Sequence, residues 1–130
     1  MADLPFPVEF LEGVRRFNSG RFFEAHEAFE DLLDAVDGDA RWDVLVALIQ
    51  VAVAYHKAAS GHPGGDRMLR LGSDKLAALP PLAWGVEVGH LRRHTADDLA
   101  AVDAGEALAD RLRRHPPRIR LASVAARDQP

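Results

Sequence analysis

The sequence predicts an all-α fold: a multihelical bundle built on an N-terminal antiparallel helical hairpin around a buried central helix. Apolar residues recur with helical spacing almost throughout, and no stretch alternates apolar and polar residues as a strand would. The chain has 130 residues, of which 48% are hydrophobic, and this suits one compact domain over residues 1–130. Cysteine is absent, which excludes disulfides, a thiolate nucleophile and a zinc–thiolate site.

Two amphipathic helices are predicted at the start of the chain. The first covers 7–18 and ends at an Asn-Ser-Gly turn. The second begins near Arg21, and its apolar stripe from Phe22 to Val36 predicts that it continues to Gly38. The short break between the two helices predicts an antiparallel hairpin.

The third helix is predicted to be the central one. Asp39 can cap its N-terminus, and the following residues to about Ala59 are apolar on nearly every side. The longest apolar run, 44–55, is shorter than the roughly 20 residues of a membrane-spanning helix. We therefore expect a buried core helix and no membrane association.

The C-terminal half is predicted to contain three further helices and a tail. The fourth helix is predicted to start at Asp66, which can cap its N-terminus. The fifth helix carries an apolar stripe from Val88 to Val102, with a second helix-start signal within it. A short sixth helix is predicted over 106–114. The remaining residues, about 115–130, lack a sustained period. We expect an extended tail whose packed side chains are Ile119 and Leu121.

Charge is distributed unevenly along the chain. Residues 1–43 hold eleven acidic and four basic residues, whereas residues 111–130 hold six arginines and one acidic residue. We expect the basic tail either to solubilise the surface or to dock on the acidic first two helices. The overall net charge of −4 argues against a nucleic-acid binder. The acidic N-terminal sequence lacks the features of a secretory signal, so a cytoplasmic location is expected.

The segment RFFEAHEAFEDLL, residues 21–33, raises the main functional question. In a helix, His26 falls within the apolar arc and Glu30 lies one turn further at its edge, while Glu24 and Glu27 point outward. On the third helix, His56 shares the face of core residues and Gln50 lies on a flank. We therefore expect four polar side chains to enter the core: His26, Glu30, Gln50 and His56.

Two interpretations of this cluster follow. Buried polar groups must be hydrogen-bonded, so the first is a structural network joining the second and third helices, without a cofactor. The alternative is a divalent-metal site of His26, Glu30 and His56, with Glu27 as general base of a metal-dependent hydrolase. The sequence HEAFE differs from the zincin motif HExxH at Glu30. We favour the structural network, and the sequence leaves open whether the protein is an enzyme.

A second group of polar residues lies on the fifth helix. Glu87, His90 and His94 are spaced along one side, beside Asp98. A di-metal carboxylate bundle needs a second Glu-x-x-His motif, and EVGH occurs once. We interpret this side of the helix as a solvated face.

The segments FNSGRFFEAHEAFEDLL and LIQVAVAYH, in this order and spacing, resemble a family of small helical proteins from bacteria and archaea that is known as domain of unknown function 309. The resemblance covers roughly residues 6–80 and differs at Leu33, where the family usually has tryptophan. Its pattern adds Asn18 to the candidate polar cluster, which becomes Asn18, Glu24, His26, Glu27, Glu30, Gln50 and His56. The resemblance implies a helical bundle but no activity, substrate or cofactor.

The expected function is that of a small cytoplasmic binding or interaction protein. Its partner would be an unidentified protein or a small molecule, and the sequence does not indicate an oligomeric state. The first hairpin also resembles a tetratricopeptide unit, with Gly20 at the turn and Ala25 at the close-packing position. This weak similarity is consistent with a binding role.

Overall fold

The computed structural model describes residues 6–122, and this part of the chain is all-helical. It contains six α-helices and one short 3₁₀ helix. In chain order they are α1 Val8–Asn18, α2 Phe22–Glu30, the 3₁₀ helix Asp34–Val36, α3 Ala40–Ala59, α4 Gly65–Ala77, α5 Val88–Asp103 and α6 Leu108–Arg114. The predicted all-α bundle is confirmed.

Helix α3 is the centre of the bundle. It packs against α2 and α4, and also against α6. It has the length and hydropathy of a membrane-spanning helix, but its buried side chains form the core instead: Val44, Leu45, Ala47, Leu48, Val51, Ala52, Ala54 and Tyr55. The predicted cap is also present, because the Asp39 side chain accepts a hydrogen bond from the Arg41 N–H at 2.8 Å.

Glycines let the helices approach each other closely. A Cβ on Gly72 of α4 would lie 2.8 Å from the Val51 side chain of α3, and a Cβ on Gly13 of α1 would lie 2.5 Å from the Phe29 ring of α2. Both distances are shorter than van der Waals contact, so a larger residue would push the helices apart. Glycine lowers the intrinsic stability of a helix, and the close packing that these two glycines allow compensates for that loss.

The second helix is shorter than predicted. It ends at Glu30 rather than near Gly38, and the chain continues through turns and the 3₁₀ helix Asp34–Val36. Negative charges from Asp31 and Asp34 oppose the negative end of the helix dipole, and the last turn contains no basic residue. The apolar residues that suggested a continuous stripe are still buried, although the backbone is not α-helical there.

Two helix starts also differ from the prediction. Helix α4 is preceded by Gly64, whose φ of 91° is left-handed, and Asp66 lies inside the first turn rather than at the cap. Helix α5 is continuous from Val88 to Asp103. The Thr95 hydroxyl, which suggested a second start, donates to the Arg92 carbonyl at 2.9 Å and so remains compatible with an uninterrupted helix.

The C-terminal segment is pinned to the end of α1. The amide of Asn18 donates to the Ile119 carbonyl at 3.0 Å and accepts from the Ile119 N–H at 2.7 Å. Ile119 is buried and Leu121 is half-buried, as predicted. The last part of the predicted tail, 123–130, lies outside the described residues.

The central position of α3 predicts the effect of Leu48→Ala. Leu48 is fully buried, so the substitution should leave a cavity and lower the free energy of unfolding by roughly 2–5 kcal/mol. Leu48 tests the core better than the next residue, Ile49, because Ile49 is only partly buried. Urea denaturation measures the loss, with Leu82→Ala as control because Leu82 is 50% exposed. Equal effects of the two substitutions would show that α3 is not the core.

The two-way hydrogen bonding of Asn18 predicts that Asn18→Ala destabilises the fold by about 1–3 kcal/mol, because the Ile119 N–H and carbonyl lose their partners. Ser19→Ala is the control, since the exposed Ser19 hydroxyl only donates to the Arg15 carbonyl of its own helix. Thermal melts of both variants should show a lower melting temperature for Asn18→Ala. If both match the wild type, the segment around Ile119 does not contribute to stability.

Candidate functional site

Two consecutive phenylalanines of α2 point in different directions. Phe22 is buried in the core, whereas Phe23 is 45% exposed. Successive residues of a helix are rotated by about 100°, so only one of the pair can face the core. Phe23 therefore presents a large apolar ring at the surface.

Two histidines contact this exposed ring, and a third histidine stacks on one of them. The rings of His26 and His56 lie 5.0 Å and 5.1 Å from the Phe23 ring, measured between centroids, and His62 stacks on His56 at 6.3 Å. The structure thus brings together two of the predicted polar residues, His26 from α2 and His56 from α3. Both contact the ring of Phe23, and no glutamate joins them in the described part of the chain.

These side chains line a surface pocket of about 310 Å³. We refer to it as the Phe23 pocket, and its lining residues are Phe23, His26, Val53, His56, Lys57 and His62. Its size is at the lower end of the range for small-molecule sites, and it combines apolar walls with a few polar groups in the usual way. None of these lining residues is acidic.

The predicted buried network between His26 and Glu30 is wrong. Glu30 is 53% exposed in its side chain and lies 3.5 Å from Nε2 of His26, while Nδ1 of His26 lies 2.8 Å from the Phe23 carbonyl. Glu27 is exposed, and Glu24 is near Arg21 at 3.6 Å. Because α2 ends at Glu30, this carboxylate remains in water and avoids the cost of burial.

The other two predicted residues lie elsewhere. Gln50 faces α4 next to Gly72, and its Oε1 is buried without a hydrogen-bond partner in the protein. Asn18 holds the C-terminal segment through Ile119. Neither residue lines the Phe23 pocket. The seven predicted residues therefore do not form one site.

The proposed metal ligands are not assembled. Within residues 6–122, no group of three or more His, Asp or Glu side chains has an arrangement that could hold a metal ion. His26 and His56 each contact the Phe23 ring, and Glu30 is exposed and lies near His26.

A buried polar cluster centred on Asp98 was not predicted from the sequence. Its carboxylate is fully buried and accepts hydrogen bonds from the Tyr55 hydroxyl at 2.6 Å and from Nε of Arg111 at 3.1 Å. Nε2 of His94 is buried 3.4 Å away without forming a hydrogen bond. The predicted solvated face of α5 is therefore wrong for His94 and Asp98, and this face joins α5 to α3 and α6.

The cluster shifts two pKa values in opposite directions. Burial alone would raise the pKa of Asp98, but the neighbouring His94 and the hydrogen bond from Tyr55 outweigh it and hold the pKa below its ordinary value of 3.8. Burial, together with the Asp98 charge, raises the pKa of Tyr55 well above 10.0. Tyr55 is therefore a neutral donor to a charged acceptor, which is a strong form of hydrogen bond.

Up to residue 122, the arginines of the C-terminal region form no ion pair with the acidic residues of α1 and α2, so the predicted docking by charge is not found in this part of the chain. Arg111 binds Asp98, while Arg113 and Arg114 pair with Asp110 and Glu106. These acidic partners belong to α5, α6 and the turn between them. The contact of this region with α1 is made instead by the backbone of Ile119 through Asn18.

Fold and site together define a small all-α protein with a histidine-lined surface pocket. Residues 10–69 match the model of the family described as "Domain of unknown function (DUF309)". This match confirms the resemblance read from the sequence. No curated protein matches the chain. The matched segment contains every residue that lines the Phe23 pocket.

The buried cluster predicts that Asp98→Asn lowers the free energy of unfolding by roughly 3–5 kcal/mol at neutral pH, because Arg111 loses its charged partner. The folded-state pKa of Asp98 is lowered, so the carboxylate stabilises the fold above its unfolded-state pKa, and this contribution is lost as the pH falls through the folded-state value.

Urea denaturation at several pH values tests this. The difference between wild type and Asp98→Asn should be largest at neutral pH and shrink in acid. Asp103→Asn is the matched control, since Asp103 is exposed and pairs with Arg70, and it should cost less than about 1 kcal/mol. A difference that does not change with pH would contradict a charged Asp98 in the fold.

Proposed function

We propose that this protein is a small helical interaction module that binds its partner through the Phe23 pocket. The observation that supports the proposal is the exposed Phe23 ring between His26 and His56. Binding interfaces commonly use a few aromatic side chains as energetic anchors. A pocket formed by an aromatic ring, imidazoles and Val53 offers both apolar contact and directional hydrogen bonding.

The position of Phe23 also favours binding over a purely structural role. The core already contains the neighbouring Phe22, so α2 does not need the second ring for its packing. An aromatic side chain kept at the surface has a hydrophobic cost that is recovered when a partner covers it. We propose that the module acts in the cytoplasm, and the family resemblance implies a bacterium or archaeon as its source.

The alternative is a metal-binding protein or a metal-dependent hydrolase using His26, Glu30 and His56. No observation of the structure favours it. Thermal melts with added zinc test this alternative.

Phe22 and Phe23 form a matched pair for testing the proposal. Phe22→Ala should lower the free energy of unfolding by roughly 3–5 kcal/mol, because a buried ring is removed. Phe23→Ala should cost less than about 1 kcal/mol, because its ring contributes little to the core. An NMR screen with small aromatic carboxylates should shift the amide signals of His26 and His56 in the wild type but not in Phe23→Ala.

Three results would contradict the proposal. The first is that Phe23→Ala destabilises the fold as much as Phe22→Ala. The second is that the fragment-induced shifts map to residues outside the pocket. The third is that no fragment binds. A zinc-dependent rise in melting temperature that is lost in His56→Ala would favour the metal alternative instead.

A further inference from the structure

A second groove along α4 adjoins the Phe23 pocket at Lys57, which lines both. This groove, of about 270 Å³, shares Lys57 with the pocket. Its lining residues are Lys57, Pro63, Gly64, Arg67, Met68 and Leu71. We call the two together the cationic strip. It crosses from α2 over the C-terminal half of α3 to α4.

The strip has an unusual charge for this protein. The chain contains 20 acidic residues and has a net charge of −4, yet none of the residues that line the strip is acidic. Lys57 and Arg67 are the basic side chains of the strip, and the three histidines add hydrogen-bonding imidazoles. The nearest acidic residues border it, with Glu30 beside His26 and Asp66 next to Arg67.

Large apolar side chains are exposed at both ends of the strip. Phe23 is 45% exposed at one end and Leu71 is 49% exposed at the other. In the described part of the chain, only four large hydrophobic residues are exposed to this degree, and the other two are Val8 and Leu82. Two of the four therefore line the strip.

We propose that the cationic strip binds an acidic segment of a partner protein that carries two large apolar side chains, one contacting Phe23 and one contacting Leu71. The inference rests on the proposed function and extends it by naming the class of partner. Charge complementarity selects the acidic segment, because like charges at Lys57 and Arg67 would repel a basic one. The two apolar contacts supply most of the affinity.

A display library of random linear peptides tests this with the full-length protein as bait. Selected peptides should be rich in Asp and Glu and contain two large apolar residues. Phe23→Ala and Leu71→Ala should each weaken the binding of a selected peptide by roughly tenfold, whereas Leu82→Ala should not. Arg67→Glu should weaken it more than the control Arg118→Glu, and higher salt should reduce the difference.

The possible failures are distinguishable. If selected peptides depend on Phe23 but not on Leu71 or Arg67, the pocket binds alone and the extended strip is wrong, while the proposed function stands. If binding is independent of Phe23, both proposals fail. Basic or uncharged selected peptides would overturn the acidic partner.

Sedimentation showing a wild-type dimer that Phe23→Ala and Leu71→Ala dissociate would identify a second copy as the occupant and would also overturn the acidic partner. Circular dichroism of each variant establishes that it is folded.

Discussion

Tyr55 makes the contacts on which the rest of the structure depends, because its side chain reaches both halves of the bundle. Its ring lies 5.5 Å from that of Phe22 and 6.3 Å from that of Phe17, in the N-terminal hairpin. Its hydroxyl donates to Asp98 of α5, which also binds Arg111 of α6. A fully buried tyrosine ring stabilises the fold through its apolar contacts, and its hydroxyl must also lie within hydrogen-bonding distance of an acceptor. Together these contacts fix the rotation of α3 about its own axis.

This rotation also positions the surface pocket. Phe22 packs on Tyr55 in the core, and the next residue of each helix forms the corresponding outer pair, Phe23 with His56. The two pairs are related by the same rotation of about 100° along each helix. The aromatic part of the pocket is therefore a consequence of how α2 and α3 pack, and the loop after α3 adds His62. A site built on rigid helices holds its side chains more precisely than a site on a loop. This supports a role for the pocket in recognition.

Much of the fold could be predicted because helical periodicity is a local signal. The central position of α3 follows from its apolar composition, and its cap at Asp39 follows from the residue type. The site was harder to predict, because burial depends on neighbours that are distant in sequence. Helical rotation and a longer α2 predict Glu30 at the edge of the core. In the structure α2 ends at Glu30, and this side chain is exposed. Asp98 was assigned to solvent although it lies one turn from His94. A buried tyrosine needs a partner for its hydroxyl, but the sequence alone does not say which carboxylate provides it.

The packing of α2 on α3 is measured most directly by nuclear Overhauser effects between aromatic rings in solution. The account predicts cross-peaks between the rings of Phe22 and Tyr55 and between those of Phe23 and His56. The Phe22 signals should also show contacts to other core side chains, whereas those of Phe23 should not. Cross-peaks from Phe23 to Tyr55, with Phe22 facing solvent, would contradict the account, because α2 would then present its other face to the core and the pocket would not exist.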